Sequence, residues 1–314
     1  MKSITITGND AGQRLDKFIL KTFDKMPRSL MFKEIRKKNI KVNRKRCAPE
    51  QILNENDVLE LYLNDDVLHI RQKYYDFLRA SAQLDILYED ENIILLNKKV
   101  GILCHPDGRD YTDNLVARLK RYLYEKGEWS PDTSSFTPSL ANRIDRNTGG
   151  IVIGAKNANA LKIINDKIKS REIEKYYLAV VHGKMPEKSE TLTAYLTKDE
   201  KRNKVSVTDH EVLNAKEIIT QYAVLDYYDG ASLLEIKLLT GRTHQIRAHL
   251  AHVGHPLFGD GKYGAEKGRY RQALYSYKLK FHFADENELS YLNNRVFQAE
   301  DIKLLKDYKE RKFI

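Results

Sequence analysis

Apolar residues recur along this chain with two periods, and the switches between them lay out its elements. Ile4 and Ile6 alternate with polar neighbours, as in a short strand. Leu15, Phe18 and Ile19 then follow at helical spacing within Arg14–Leu20. Pro27 predicts the start of a second helix, in which Leu30, Met31 and Ile35 share a face while Lys33, Arg36 and Lys37 point elsewhere. Ile40-Lys-Val-Asn43 alternates again, and Asp57–Leu63 reads as a closing strand. Residues 64–83, with Arg71-Gln-Lys-Tyr-Tyr75, show no clear period and are expected to be a linker.

Strands dominate after that. Leu84–Asp90 leads into the apolar run Ile93–Leu96, expected as a buried strand. Asn114–Lys126 predicts a helix with Leu115, Leu119 and Leu123 on one face, and the polar stretch Glu128–Pro138 a loop. Ile151–Ala155 and Glu174–Gly183 read as strands on either side of an amphipathic helix, Ala158–Ser170. Lys198–Lys204 is a basic hairpin candidate. Lys216–Tyr227 and Ser232–Leu239 are expected as long strands joined at Asp229-Gly230, a hairpin signal. Ile246, Leu250 and Val253 have helical spacing, Leu274–Phe283 reads as a strand, and the tail is charged and helical. Strands outnumber helices and are often hairpin-joined, which predicts the α+β class. The expected organisation is a small N-terminal α/β domain over 1–63, the linker over 64–83, and a domain over 84–314 on a mixed, largely antiparallel sheet with flanking helices.

Charge adds a partner to this picture. The formal net charge is +10 and the pI about 9.2, a balance that suits an anionic partner such as nucleic acid. Residues 1–63 hold 14 Lys and Arg against 8 Asp and Glu, so the excess is concentrated at the N-terminal end. From Arg28 to Arg46 there are nine basic residues and one acid, Glu34, interleaved with apolar positions, which predicts a folded basic surface. Cys47 and Cys104 lie far apart and form neither a metal-ligand pair nor a disulfide framework, so a reducing, cytoplasmic setting is expected. There is no apolar run of membrane length and no signal-like start, and a soluble monomer is expected.

Several chemistries fall away. The chain has no phosphate-binding G-x-x-x-x-G-K-[ST] loop and no G-x-S-x-G elbow, and Gly149–Gly154 precedes its strand instead of following one, unlike a dinucleotide site. His244, His249, His252 and His255 crowd together, but their spacing matches no helical metal pair, and Arg242 and Arg247 would repel a cation. They read instead as polar, RNA-facing or helix-capping side chains. If a helix opens at Thr243, its N-terminus with Arg242 and Arg247 makes an anion or carboxylate partner. A carboxylate is present in Ala141-Asn-Arg-Ile-Asp-Arg-Asn-Thr-Gly-Gly150, where Asp145 stands between Arg143 and Arg146. A plain surface salt bridge is the simplest reading of that loop.

Asn142–Gly150 resembles the "H-R-L-D-x-x-T-S-G" motif of the RluA-type pseudouridine synthases. Gly241–Leu250, with Gly254-His-Pro-Leu-Phe-Gly-Asp260 and Tyr263-Gly264, is similar to the third motif of that family. Lys175–Gly183 is similar to its "K-x-Y-x-A-x-V-x-G" strand, and Tyr88–Asp90 through Asn97–Pro106 to its opening segment. Arg14-Leu15-Asp16, Arg28-Ser29, Ile35 and Ile40–Asn43 resemble the S4 RNA-binding domain, with Asn39 where Gly is usual. Departures stand at Asn142 for His, Ile144 for Leu, Gly149 for Ser, Lys99-Val100 for Pro-Ala and Tyr275 for His, and none falls on Asp145, Tyr177 or Arg247.

The resemblance implies an enzyme that isomerises uridines of RNA, most often large-subunit ribosomal RNA, without metal or other cofactor. It implies Asp145 as the essential carboxylate, Arg247 as its partner and Tyr177 as a stacking residue under the flipped base. Arg143 would fill the gap left in the RNA, and Arg242 and Lys98 would be phosphate or structural contacts. Arg28, Arg36, Lys37 and Lys41 would bind RNA phosphates. A non-catalytic RNA-binding or ribosome-assembly factor with the same fold is the alternative, and a histidine-metal hydrolase a more distant one.

Overall fold

The computed structural model describes residues 2–8, 10–23, 25–64, 66–68, 75–107, 112–132, 134, 136–199, 204–264 and 272–313. Part of the expected linker (69–74) and the tip of the Lys198–Lys204 hairpin (200–203) lie outside the described residues. In chain order the elements are β1 (Lys2–Thr5), α1 (Leu15–Thr22), α2 (Arg28–Arg36), β2 (Ile40–Val42), β3 (Lys45–Arg46), β4 (Val58–Leu61), a short 3-10 turn (Asp76–Arg79), β5 (Ile86–Glu89), β6 (Ile93–Lys98) and α3 (Leu115–Glu125). Then come β7 (Ser139–Leu140), β8 (Gly149–Ala155), α4 (Ala158–Lys169), β9 (Ile173–His182), β10 (Ser189–Asp199), β11 (Lys204–Thr208), β12 (Lys216–Tyr228) and β13 (Ala231–Leu238). The chain ends with α5 (Gln245–His252), β14 (Leu274–Phe281), a 3-10 turn (Ser290–Leu292), β15 (Val296–Gln298) and α6 (Lys303–Lys309). The fold class is α+β.

The chain divides into two compact units. The first comprises Met1–Leu95, His105–Asn142 and Ile153–Asn165, and the second Leu96–Cys104, Arg143–Val152 and Asp166–Ile314. Strands β6 and β8 and helix α4 give residues to both.

Within the first unit, β1-β4-β2-β3 form a four-stranded antiparallel sheet. Helices α1 and α2 close over it with the residues their spacing selected. Leu15, Phe18, Ile19, Met31 and Ile35 bury against Ile6, Leu59 and Leu61 in one apolar cluster. Each fully buried side chain of this size stabilises by roughly 2 kcal/mol. Pro27 caps α2, where its missing N–H costs nothing. The Asn114 side chain caps α3 by accepting the Ala117 N–H at 3.1 Å, and Leu115, Leu119 and Leu123 are all buried. The loop before β7 is tied down by polar contacts: Trp129 Nε1 donates to Phe136 O, and the Phe136 N–H donates to Asp10 Oδ1.

In the second unit the strands run in the order β11-β10-β12-β13-β9-β14-β8, with β15 on β14. All these pairings are antiparallel except β14 with β8, which is parallel and makes the sheet mixed. Asp229 and Gly230 both take positive φ, 40° and 84°, the geometry of a tight two-residue hairpin turn, so β12 and β13 join where expected. Strand β9 is central, flanked by β13 and β14, and is buried along almost its whole length.

Helix α5 departs from the sequence reading in two ways. It opens at Gln245, not Thr243, because His244 adopts a left-handed backbone and the Gln245 N–H turns back to Arg242 O. Its spacing also does not mark a single apolar face. Val253 falls beyond the helix and is 37% exposed, while every residue from Gln245 to Leu250 is buried. The polar ones are satisfied by partners on other elements, as burial of a polar group requires.

Candidate active site

The loop between β7 and β8 carries Asp145 and is held by backbone and side-chain contacts. Asn142 Oδ1 accepts the Ile153 N–H at 2.8 Å, pinning the start of the loop. The Cys104 thiol lies 3.4 Å from both the N–H and the carbonyl oxygen of Ile144. Thr148 N–H returns to Asp145 O, and Gln272 Nε2 donates to the Thr148 hydroxyl at 2.7 Å.

Lys98, only 1% exposed, braces the same loop. Its ammonium donates to the carbonyl oxygens of Ile102 (2.8 Å), Arg146 (3.1 Å) and Lys99 (3.2 Å). Burial pushes its pKa down to about 8. Of the two roles open to Lys98 in the sequence, this is the structural one. Arg146 also gains a place: its Nε donates to Gly101 O at 3.0 Å, and its carbonyl accepts the Gly101 N–H at 2.8 Å.

The glycines that end the loop are required by close approach. Gly150 has φ 112°, and a Cβ there would lie 2.0 Å from Ser276 O. A Cβ on Gly149 would meet the Tyr275 ring at 2.7 Å and Val100 at 3.2 Å. These contacts follow from the parallel pairing of β8 with β14, which aligns Gly149 with Tyr275 and Gly150 with Ser276. The Tyr275 hydroxyl is in turn fixed by donating to Asn97 Oδ1 at 2.6 Å.

Asp145 does not pair with the arginines beside it in sequence. Arg143 is exposed, and Arg146 turns to Gly101. The partner is Arg247, whose Nη1 donates to Asp145 Oδ2 at 2.7 Å across 102 residues of chain. The remaining guanidinium edge is engaged by Asp260, with Nε on Oδ2 at 2.7 Å and Nη2 on Oδ1 at 2.8 Å. Two parallel bonds of this kind fix the plane of the arginine. Burial works against the charge on both Arg247 and Asp260. Their mutual hydrogen bonds and opposite charges, with Asp145 acting on the arginine and backbone N–H groups on the aspartate, together outweigh it, raising the arginine pKa and lowering that of the aspartate. The Tyr263 ring lies 5.1 Å from the Arg247 Cζ and covers the guanidinium.

His244 stands at the same place, its Nε2 3.9 Å from Asp145 Oδ1. Tyr177 projects from β9, opposite Ile236 of β13 and Ser276 of β14, and is buried. Burial raises the pKa of its phenol, the charge of Asp145 acts in the same direction, and a hydrogen bond with Ser276 opposes both. At neutral pH this side chain is a protonated phenol. Arg242, like Arg143, is exposed. In the first unit Arg28, Arg36 and Lys37 are exposed on and just after α2, and Lys41 is half-buried with its Nζ 5.1 Å from the Tyr62 ring centre.

Reading of the histidines is corrected here. His249 is 1% exposed, with Nδ1 3.0 Å from the Thr220 hydroxyl, so it faces the core and no RNA. Asp260 and Tyr263 carried no assigned role in the sequence, because no periodicity links them to Arg247. The motif around Gly259-Asp260 was the one available signal.

The model of the RNA pseudouridylate synthase family matches residues 92–252, and the chain belongs to that family. An uncharacterized RNA pseudouridine synthase of Mycoplasma genitalium is 33% identical over 90% of this chain and 90% of its own. The ribosomal large subunit pseudouridine synthase C of Haemophilus ducreyi is 31% identical over 88% of this chain and 86% of its own. The solved structure of human RNA pseudouridylate synthase domain containing 4 shares the fold, with a TM-score of 0.57 at 19% identity over 72% of this chain and 92% of that one. The protein is an RNA pseudouridine synthase, an isomerase whose substrate is RNA.

Proposed function

We propose that the enzyme converts specific uridines of large-subunit ribosomal RNA to pseudouridine, with Asp145 as the essential carboxylate. The reaction breaks the N1–C1′ bond, turns the uracil and joins C5 to C1′. N1 gains a proton and the C5 hydrogen leaves to solvent, so neither a redox centre nor a net reactant is needed. A stacked base hides these atoms, so the nucleotide must be flipped out. Asp145 acts at the sugar, as nucleophile or as base. Arg247 holds it in one orientation, and the Asp260 tether keeps Arg247 from following the substrate. Tyr177 stacks on the flipped uracil. Arg143, which is exposed, fills the gap in the RNA.

Arg242 and the basic residues Arg28, Arg36, Lys37 and Lys41 add phosphate affinity with little sequence preference. The last four belong to residues 1–63, which we take as an S4-like RNA-binding domain ahead of a linker (64–83) and a catalytic domain (84–314). The N-terminal stretch has an apolar cluster from Ile6 to Leu61, which also takes in Leu68 of the linker. Ribosomal RNA as target is supported by the relatives named for the ribosomal large subunit. We take the enzyme to act as a cytoplasmic monomer. No helix among the described residues is long and apolar enough to cross a membrane.

The observation that carries the catalytic reading is the 2.7 Å contact of Arg247 with Asp145, made by an arginine already committed to Asp260. RNA carrying 5-tritiated uridine tests it. Asp145→Asn abolishes tritium release while RNA binding survives, and undiminished release by that variant would sink the assignment. Pseudouridine maps of ribosomal RNA from cells with and without the gene identify the target.

A further inference from the structure

His244 holds a left-handed backbone, φ 54°, rare for a residue with a side chain. Gln245 builds the turn that imposes it. Its Oε1 accepts from the Arg242 N–H at 3.0 Å and the Thr240 hydroxyl at 2.9 Å, and its Nε2 donates to Ile219 O and Thr220 Oγ1, both at 3.1 Å. Strain that the surroundings hold in place clusters at functional positions. Here it aims the imidazole at two groups: Nδ1 lies 2.8 Å from the Tyr263 hydroxyl, and Nε2 lies 3.9 Å from Asp145 Oδ1.

These contacts are compatible with a ring proton on Nε2. The Tyr263 oxygen accepts the Val205 N–H at 3.1 Å, and its own proton can be given to His244 Nδ1 when that nitrogen is bare. In that tautomer Nδ1 is an acceptor and the neutral ring carries its proton on Nε2. Neutrality follows from burial, which lowers the His244 pKa to about 4; Arg247 and Lys262 act the same way, against Asp145 and Asp260.

Nε2 lies 3.9 Å from the carboxylate, too far for a hydrogen bond between the two. A hydroxyl oxygen about 2.8 Å from each fits between them. We propose that His244 Nε2–H donates a hydrogen bond to the ribose 2′-hydroxyl of the target uridine and is the residue that distinguishes ribose from deoxyribose there. This rests on Asp145 acting at the sugar, because the 2′-oxygen is borne by the carbon next to C1′. A neutral donor suits the place, since an imidazolium would compete with Arg247 for Asp145. The 2′-hydroxyl, both donor and acceptor, is the group by which a protein tells RNA from DNA.

Two RNA stem–loops carrying the mapped target uridine, one with a 2′-hydroxyl and one with a 2′-hydrogen at that nucleotide, provide the test. Pseudouridine formation is followed under single-turnover conditions for the unmodified enzyme, His244→Asn and His244→Gln. Asparagine tolerates the left-handed backbone and keeps a partner for Tyr263, but its amide stops short of the sugar. Glutamine reaches about as far as Nε2 and restores a donor. The unmodified enzyme is expected to convert the deoxy substrate at least about tenfold more slowly. His244→Asn loses a similar factor on the ribose substrate and treats the two sugars alike to within about twofold, and His244→Gln regains part of the difference. A His244→Asn enzyme that still discriminates about tenfold, or an unmodified enzyme that does not discriminate, overturns the proposal. If Asp145→Asn converts the ribose stem–loop at the unmodified rate, the reading of Asp145 fails instead, and the proposal with it.

Discussion

Arg247 meets Asp260 through two parallel hydrogen bonds, Nε to Oδ2 at 2.7 Å and Nη2 to Oδ1 at 2.8 Å, which leave a single guanidinium edge for Asp145. The arginine is thus oriented by Asp260 before it meets Asp145. Lysine cannot make a two-point contact, so Arg247→Lys should lower the single-turnover rate by about a hundredfold or more, although the charge is kept. Asp260→Asn removes one buried partner and should cost about 3–5 kcal/mol of stability in denaturant unfolding as well as rate. A rate within twofold of the unmodified enzyme for both variants would show that the tether positions nothing.

Arg143 separates binding from conversion. Its side chain is exposed, so Arg143→Ala should leave the melting temperature unchanged. If it fills the space of the flipped nucleotide, conversion slows by roughly ten- to a hundredfold while filter-binding affinity for RNA falls much less, since the affinity is spread over many phosphate contacts. Equal losses in both measurements would make it only another phosphate contact.

Close approach of β8 to β14 makes the two loop-ending glycines intolerant for different reasons. Gly150→Ala puts a Cβ on a backbone oxygen at a positive φ, and should cost roughly 3 kcal/mol or more, with no simple rescue. Gly149→Ser meets a ring, and rings can be removed. Its loss of stability should shrink markedly in the double variant with Tyr275→Ala, so a denaturation double-mutant cycle reads a large coupling energy. Strict additivity of the two changes would contradict the packing described.

The buried His249 predicts a pH response. Burial lowers its pKa from 6.5 to about 4, so between those values the unfolded chain binds a proton that the folded chain refuses. Stability is then fully present above about pH 6.5 and is lost as the pH falls toward 4. From pH 7 to pH 5 this residue accounts for roughly 2 kcal/mol. Other acidic-range groups act equally in a His249→Gln variant, so urea unfolding at the two pH values should show the variant losing roughly 2 kcal/mol less than the parent protein. Identical losses would mean that His249 does not titrate.

Where packing repeats a local period, the sequence was readable. Leu115, Leu119 and Leu123 line α3, and Asp229-Gly230 turns the β12–β13 hairpin, because each depends on residues a few positions apart. Helix α5 was only partly readable, since Gln245, Arg247 and His249 are buried by partners on β12 and in the Asp260 loop that no spacing reveals. The pairing of Asp145 with Arg247 spans 102 residues and was accessible only through resemblance to a family. The strain at His244 leaves no trace in hydropathy. Strand β15, three residues with one buried side chain, is too short to carry a pattern.

Because α5 is enclosed along its whole first turn and a half, Arg247, the partner of Asp145, is also a structural member of the core. Substitutions around it are therefore screened for folding before they can be tried for function. Drift toward new target uridines has little room there. It has ample room at exposed positions such as Arg143, Arg242 and the α2 surface, where a change alters what the RNA meets and leaves the interior untouched. Divergence among enzymes built this way should accumulate at the rim of the site while its centre stays nearly still.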